Sequence, residues 1–320
     1  MTPDPTMESR MLGRTGLPVQ ALGLGTVELG LEYGIKAPGE FGRPSAKDAV
    51  DLLRHAADGG VDFFDTAPGY GAAEGLLGEA LGARPECVLA TKVTVPLGSD
   101  GRFAVGDELR YAVEASIFES LRALQRDTLD VVQIHNATLE VMAAGELAAA
   151  LEGHRAAGHI RFLGASVYTE AEALAAIETG CFDVLQIAYN MLDQRMARRV
   201  FPAARDALVG LVVRSAFLKG ALTAKSRWLP DDLGPLAAAA DRLREALGLT
   251  WEELPHAALR FCLSSPDVAT VVVGVRTLPE FDEALAAATQ GPLPDEMLAV
   301  ATAHGITDDD LLNPAKWRSV

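Results

Sequence analysis

V-D-F-F-D-T-A-P-G-Y-G, at residues 61–71, is the stretch on which the fold turns. An apolar, strand-like run ends at Asp65, and a Pro-Gly turn then presents Tyr70. The pattern recurs downstream. L-A-T-K at 89–92 is a second apolar run, ending at Lys92, and Q-I-H-N at 133–136 a third, ending at His135. Three successive strands that each finish on a group able to hold or move a proton concentrate chemistry at one end of a parallel sheet.

The same alternation extends outward over nearly the whole chain. Strand-like runs fall at 21–25, 61–65, 87–93, 129–134, 160–165, 183–188, 209–214 and 268–274. They are almost continuously apolar, as strands covered on both faces must be. Amphipathic stretches at 46–59, 73–82, 108–125, 145–157, 170–179, 195–207, 235–247 and 279–288 separate them. Gly59-Gly60, Gly82, Gly158 and Gly180 stand where helices should stop. Eight strand–helix repeats in 320 residues predict an α/β fold, a (β/α)8 TIM barrel in one domain over 1–320. A doubly wound open sheet would carry a glycine-rich phosphate loop after its first strand. Gly23-Leu24-Gly25-Thr26-Val27-Glu28 breaks that motif at its last position, and there is no Walker A loop.

Two additions stand out. Residues 11–20, M-L-G-R-T-G-L-P-V-Q, read as a tight β-hairpin placed to plug the barrel bottom, with 1–10 a flexible lead-in. The Gly- and Pro-rich stretch 28–44 follows the first strand, so it belongs to the C-terminal face and is a candidate substrate lid. Further long loops are expected at about 96–106 and about 219–235, the latter carrying Trp228.

Composition narrows the function classes. Lys and Arg number 28 against 44 Asp and Glu, a net charge of −16, which repels nucleic acid and anionic lipid. An anionic ligand therefore needs a local positive site. The strongest apolar run, 268–275, is far shorter than a membrane span, and the first ten residues lack the apolar core of a secretory signal. Cys87, Cys181 and Cys262 form no C-x-x-C pair and are expected as reduced thiols in a cytoplasmic protein. No metal-ligand spacing occurs, and no metal is expected. Oligomeric state is left open.

Catalytic groups of barrel enzymes come from the C-terminal ends of strands, where Asp65, Tyr70, Lys92 and His135 fall. A free tyrosine, with a pKa of ~10, is a weak acid for protonating a nascent alkoxide at neutral pH. A cation at ~4 Å in an effective dielectric of ~20 favours phenolate by up to ~4 kcal/mol, a fall of ~3 pKa units. Lys92 is the expected cation, Asp65 its orienting partner, and His135 the group that fixes a carbonyl. Hydride arrives at the carbonyl carbon and Tyr70 gives the proton to oxygen. His55, His154, His159, His256 and His304 are given no role.

At these residues the chain resembles the aldo-keto reductase family. The likeness covers nearly the whole length. It begins with L-G-R-T-G-L-P-V-Q-A-L-G-L-G-T at 12–26 and runs through the four residues above, I-R-F-L-G-A-S-V-Y at 160–168 and L-Q-I-A-Y-N at 185–190. The resemblance implies a nicotinamide dinucleotide lying extended across the barrel mouth. It implies that Ser166 and Gln186 hold the carboxamide, and that Gly25, Thr26 and Asp65 approach the ribose. Arg214, Ser215, Phe217, Lys219 and Gly220 match the loop over the pyrophosphate, and Gly274, Arg276, Glu280 and Glu283 the adenosine segment at 273–284. There are departures from the family pattern. Val167 replaces a common Asn after the carboxamide-binding Ser, and Arg214 stands where a Tyr often stacks on the nicotinamide. NADP-preferring members carry basic residues where Gly274 and Glu280 lie here. A carboxylate there repels a 2′-phosphate and accepts from ribose hydroxyls, which favours NAD(H) over NADP(H), although the nearby Arg276 acts in the opposite sense. The expected substrate is a small carbonyl compound or sugar, with Gly30-Leu31-Glu32-Tyr33-Gly34-Ile35 offering polar groups to it. Two alternatives remain at this point: a Schiff-base aldolase with Lys92 as nucleophile, and a redox-sensing accessory subunit of a membrane channel.

Overall fold

Alternate residues of a strand share a face, and a closed barrel buries both faces. The computed structural model describes residues 7–38, 42–94, 96–97 and 103–317. A short antiparallel hairpin of β1 (Ser9–Met11) and β2 (Pro18–Gln20) precedes the barrel. Among the described residues, eight parallel strands then close on themselves. They are β3 (Leu22–Gly25), β4 (Phe63–Asp65), β5 (Val88–Val93), β6 (Leu129–Ile134), β7 (Ile160–Ser166), β8 (Val184–Ala188), β9 (Gly210–Arg214) and β10 (Val268–Gly274). β10 pairs back to β3, which makes the structure the expected (β/α)8 TIM barrel.

The two strand faces bury different company. Phe64, Leu89, Val132, Leu163, Leu185 and Val213 point outward into the core between barrel and helices. Phe63, Val88, Ala90, Val131, Val184 and Val212 point inward and form a separate interior cluster. Two residues beyond an interior apolar side chain comes a polar one: Asp65 after Phe63, Lys92 after Ala90, Gln133 after Val131, Gln186 after Val184, Arg214 after Val212. The strand period thus stacks a polar layer on an apolar one inside the barrel. Pairings such as Gly25↔Asp65, Lys92↔Gln133 and Ser166↔Gln186 hold that layer level.

The hairpin closes the opposite end. Leu12 and Val19 are fully buried and join the interior cluster, while Arg14 donates to Asp183 Oδ1 at 2.9 Å. It begins at Ser9 rather than residue 11. Arg10 explains the difference, since its guanidinium donates to the carbonyls of Leu263, Ser265 and Val268 and ties the segment down. The expected flexible lead-in therefore does not include residues 9–10, and residues 1–6 lie outside the described ones.

Helices follow the expected order with three differences. The helix expected at 145–157 is present as Glu146–Ala156, and an additional short helix, Leu139–Ala144, precedes it across Gly145 in a left-handed conformation (φ 69°). The helix expected from 195 starts at Val200, residues 195–199 forming turns after a turn at 190–193 in which Asn190 Oδ1 accepts from the N–H groups of Leu192 and Asp193. Leu254–Leu263 and Asp295–Ala303 are additional helices. Among the described residues no helix is long and apolar enough to cross a membrane.

Candidate active site

The polar layer ends in a hydrogen-bonded centre. Lys92 Nζ donates to Asp65 Oδ2 at 2.7 Å and to the Thr66 carbonyl at 2.8 Å. The other Asp65 oxygen, Oδ1, accepts from Gln186 Nε2 at 2.8 Å and Gln133 Nε2 at 3.0 Å. The Asp65 carbonyl accepts from the Thr26 N–H and hydroxyl. The Lys92 ammonium lies 5.0 Å from the centre of the Tyr70 ring, and that ring meets His135 edge-on at 5.7 Å. Thr94 Oγ1 lies 3.4 Å from His135 Nδ1. The Tyr70 turn is fixed by close packing: a side chain on Gly30 would collide with the Tyr70 carbonyl, so only glycine fits there.

Burial dominates the electrostatics of the centre. The Tyr70 phenol is pushed above its usual range, first by burial and then by Asp65, with Arg214 opposing. Lys92 Nζ donates a hydrogen bond to the Asp65 carboxylate at 2.7 Å, so part of its charge is offset before it reaches the phenol. Burial also lowers Lys92, with Asp65 opposing. His135 is lowered to about 4, by burial and then by Lys92, so it is a neutral imidazole near pH 7. Tyr70 is accordingly held as a phenol and His135 as an uncharged hydrogen-bonding group.

A cavity of about 380 Å³ opens over the centre. Asp65, Tyr70 and His135 line it, with Gly25, Thr26, Ser166, Gln186, Arg214, Ser215, Phe217, Lys219, Gly220, Gly274, Arg276, Glu280 and Glu283. Lys92 lies beneath, 1% exposed, and is not part of the wall. The segment 214–220 is tightly wound: Ser215, Leu218 and Lys219 all adopt left-handed backbone angles, each costing on the order of 1–2 kcal/mol in a non-glycine residue. Asn190 Nδ2 donates to the Ser215 carbonyl at 3.0 Å and helps to hold this shape. Arg214 lies over the Tyr168 ring at 4.4 Å and donates to the Val167 carbonyl. Arg276 turns back on Glu280, whose carboxylate takes both the Arg276 N–H (2.6 Å) and Nη2 (3.0 Å).

Residues 21–306 match the model of the aldo/keto reductase family. The chain belongs to that family. It is 29% identical to the L-galactose dehydrogenase of Arabidopsis thaliana over 89% of each chain. It is 30% identical to the D-threo-aldose 1-dehydrogenase of a Pseudomonas species, over 81% of this chain and 86% of that one. Among solved structures, it resembles the holo form of an aldo-keto reductase from Bacillus halodurans. That likeness has a TM-score of 0.79 at 26% identity and covers 98% of this chain and all of the other.

As an aldo-keto reductase the protein is an NAD(P)-dependent oxidoreductase of carbonyl–alcohol pairs. Nothing among the relatives supports an aldolase or a channel subunit. Lys92 is also sealed under Asp65, out of reach of a carbonyl substrate. Glu28 and Tyr33, within the expected lid stretch, and Tyr168 and Lys225, within the motif at 160–168 and the loop at 219–235, also line the cavity, as does His256. His256, given no role from sequence, lies on the unexpected helix Leu254–Leu263. Gln133 was legible in principle, as a polar residue inside a wholly buried strand. Of the candidate lid, Tyr33, Gly34 and Ile35 line the cavity, and Lys219 Nζ stands 5.1 Å from the Tyr33 ring. Residues 39–41 of that stretch, and 98–102 of the loop expected at 96–106, lie outside the described residues.

Proposed function

We propose that this aldo-keto reductase is a cytoplasmic, single-domain enzyme that uses NAD(H) in preference to NADP(H). Its substrate is a small hydroxylated carbonyl compound or sugar, with Tyr70 moving the proton. The observation that carries this reading is the convergence of Asp65, Tyr70 and His135 in the wall of one cavity, with Lys92 beneath them. The sugar class is favoured by the relatives named for galactose and aldose oxidation.

The cavity fits a nicotinamide dinucleotide. Gln186 spends its amide N–H on Asp65, leaving Oε1 as an acceptor for a carboxamide, with the Ser166 hydroxyl 3.5 Å away. Lys219 and Lys225 supply positive charge near the strained loop of an otherwise acidic protein. When bound, the nicotinamide supplies or accepts the hydride. His135, neutral, hydrogen-bonds the substrate oxygen and orients it toward Tyr70. Tyr70 donates its proton to the developing alkoxide, whose conjugate acid is about as weak as water (~15.7). Asp65 and Lys92 keep each other ionised and set the floor of the site. In the oxidative direction Tyr70 must first lose its proton, which its raised pKa makes harder near neutrality.

NAD(H) is favoured by Glu280, whose carboxylate engages the Arg276 guanidinium that would otherwise be offered to a 2′-phosphate. The direct test is absorbance at 340 nm with both cofactors across a panel of aldehydes, ketones and sugars. Turnover with NAD(H) on hydroxylated substrates is expected; absence of any nicotinamide-dependent change across the panel would sink the reading.

A further inference from the structure

Glu28 has no place in the chemistry described above, yet it lines the cavity. It stands in the short helical turn Val27–Gly30 after β3, and its carboxylate lies across the bare Cα of Gly274 at the end of β10. A side chain added at Gly274 would come within 2.1–2.3 Å of the Glu28 carboxylate atoms, so the glycine is what makes room for the acid. Glu28 Oε2 is closed to solvent and has no hydrogen-bond partner among the described residues. The charged groups around it come from every neighbouring element: Arg276 and Glu280 beyond β10, Lys225 from the loop after β9, and the phenols of Tyr33 and Tyr70 across the cavity. Arg276 is already engaged with Glu280.

A buried acceptor facing a ligand cavity without a donor is stabilised by a ligand that brings one. A ligand that brings a second anion to the same place is penalised in low dielectric. We propose that Glu28 is a specificity-determining residue, which accepts a hydrogen bond from a ribose hydroxyl of the dinucleotide and discriminates against a phosphorylated ribose. The inference rests on assigning this cavity to a nicotinamide dinucleotide. Burial raises the Glu28 carboxyl to about 7, so the discrimination is weak in mild acid and grows as the carboxylate ionises.

The test is equilibrium binding of NAD+ and NADP+, followed by quenching of protein fluorescence, at pH 6 and pH 8.5. In the unmodified protein the ratio of the NADP+ to the NAD+ Kd is expected to rise about tenfold between these pH values, as expected for a like charge a few Å away. In Glu28→Gln the rise should largely vanish, with the ratio at pH 6 unchanged. The second ionisation of the 2′-phosphate is common to both proteins and cancels in the comparison. A pH profile in Glu28→Gln that matches that of the unmodified protein would overturn the proposal. Tighter NADP+ binding at every pH, with the Glu28→Gln effect intact, would instead overturn the NAD(H) preference alone.

Discussion

Replacing Lys92 by Met tests whether the ion pair under the site holds the centre together. The ammonium and the Asp65 carboxylate are 2.7 Å apart, with side chains 1% and 7% exposed. Removing one partner of such a pair typically costs about 3–5 kcal/mol, because the other charge stays buried. Asp65 keeps two amide donors, Gln133 and Gln186, so the lower end, about 3 kcal/mol, is expected. Asp65→Asn alone should cost a similar amount, the ammonium retaining only the Thr66 carbonyl. The double variant Lys92→Met/Asp65→Asn removes both charges and should recover about 2 kcal/mol or more relative to the sum of the singles. Urea denaturation of the four proteins at pH 7, read by far-UV circular dichroism and intrinsic fluorescence, measures the cycle. Additive single effects, or a loss below about 1 kcal/mol in Lys92→Met, would refute the view that this pair is a coupled, buried unit.

Three further outcomes follow from the same geometry. Because Tyr70 is held as a phenol, oxidation of an alcohol should accelerate by roughly tenfold per pH unit from pH 7 to 9, while carbonyl reduction stays nearly flat; an oxidation rate that levels off below pH 8 would argue against the raised phenol. Glu28 binds its proton more tightly folded (about 7) than unfolded (4.5), so its ionisation destabilises the fold progressively as pH rises through that window. Glu28→Gln should therefore stabilise the protein by about 1–2 kcal/mol at pH 8 and by almost nothing at pH 4.5. The full shift implies ~3 kcal/mol, but the residue is only half-buried, and equal gains at both pH values in thermal melts would contradict the assignment. Asn190→Ala removes the donor to the Ser215 carbonyl and should weaken dinucleotide binding about fivefold, the worth of one ordinary hydrogen bond, with turnover at saturation nearly unchanged; unaltered binding in a fluorescence titration would remove Asn190 from the support of that loop.

The barrel was legible because its strands are buried on both faces and therefore stand out as apolar blocks, each placed within about two residues of where the structure has it. Asp65, Lys92 and His135 were legible because they interrupt or end such blocks, and Tyr70 because a Pro-Gly turn presents it. Helix Leu254–Leu263 was missed because it follows a helix, Gly234–Leu247, that already filled the repeat between β9 and β10. The late start at Val200 was not legible, since residues 195–199 carry a helix-like pattern yet form turns. Glu28 could not be read at all. Its meaning comes from Gly274, far away in sequence and adjacent only once β10 pairs with β3. How Lys92 is shared could not be read either: the sequence places it near Tyr70, but only the fold shows its ammonium hydrogen-bonded to Asp65.

Tyr70→Phe bears most directly on the chemistry, since it deletes one hydroxyl and leaves the ring that packs against His135. Steady-state turnover at 340 nm and dinucleotide binding by fluorescence should be measured on the same preparation. Turnover reduced by about 10²-fold or more, with the dinucleotide Kd within about twofold of the unmodified protein, is the expected result. Full activity in Tyr70→Phe would contradict its assignment as the group that gives and takes the proton.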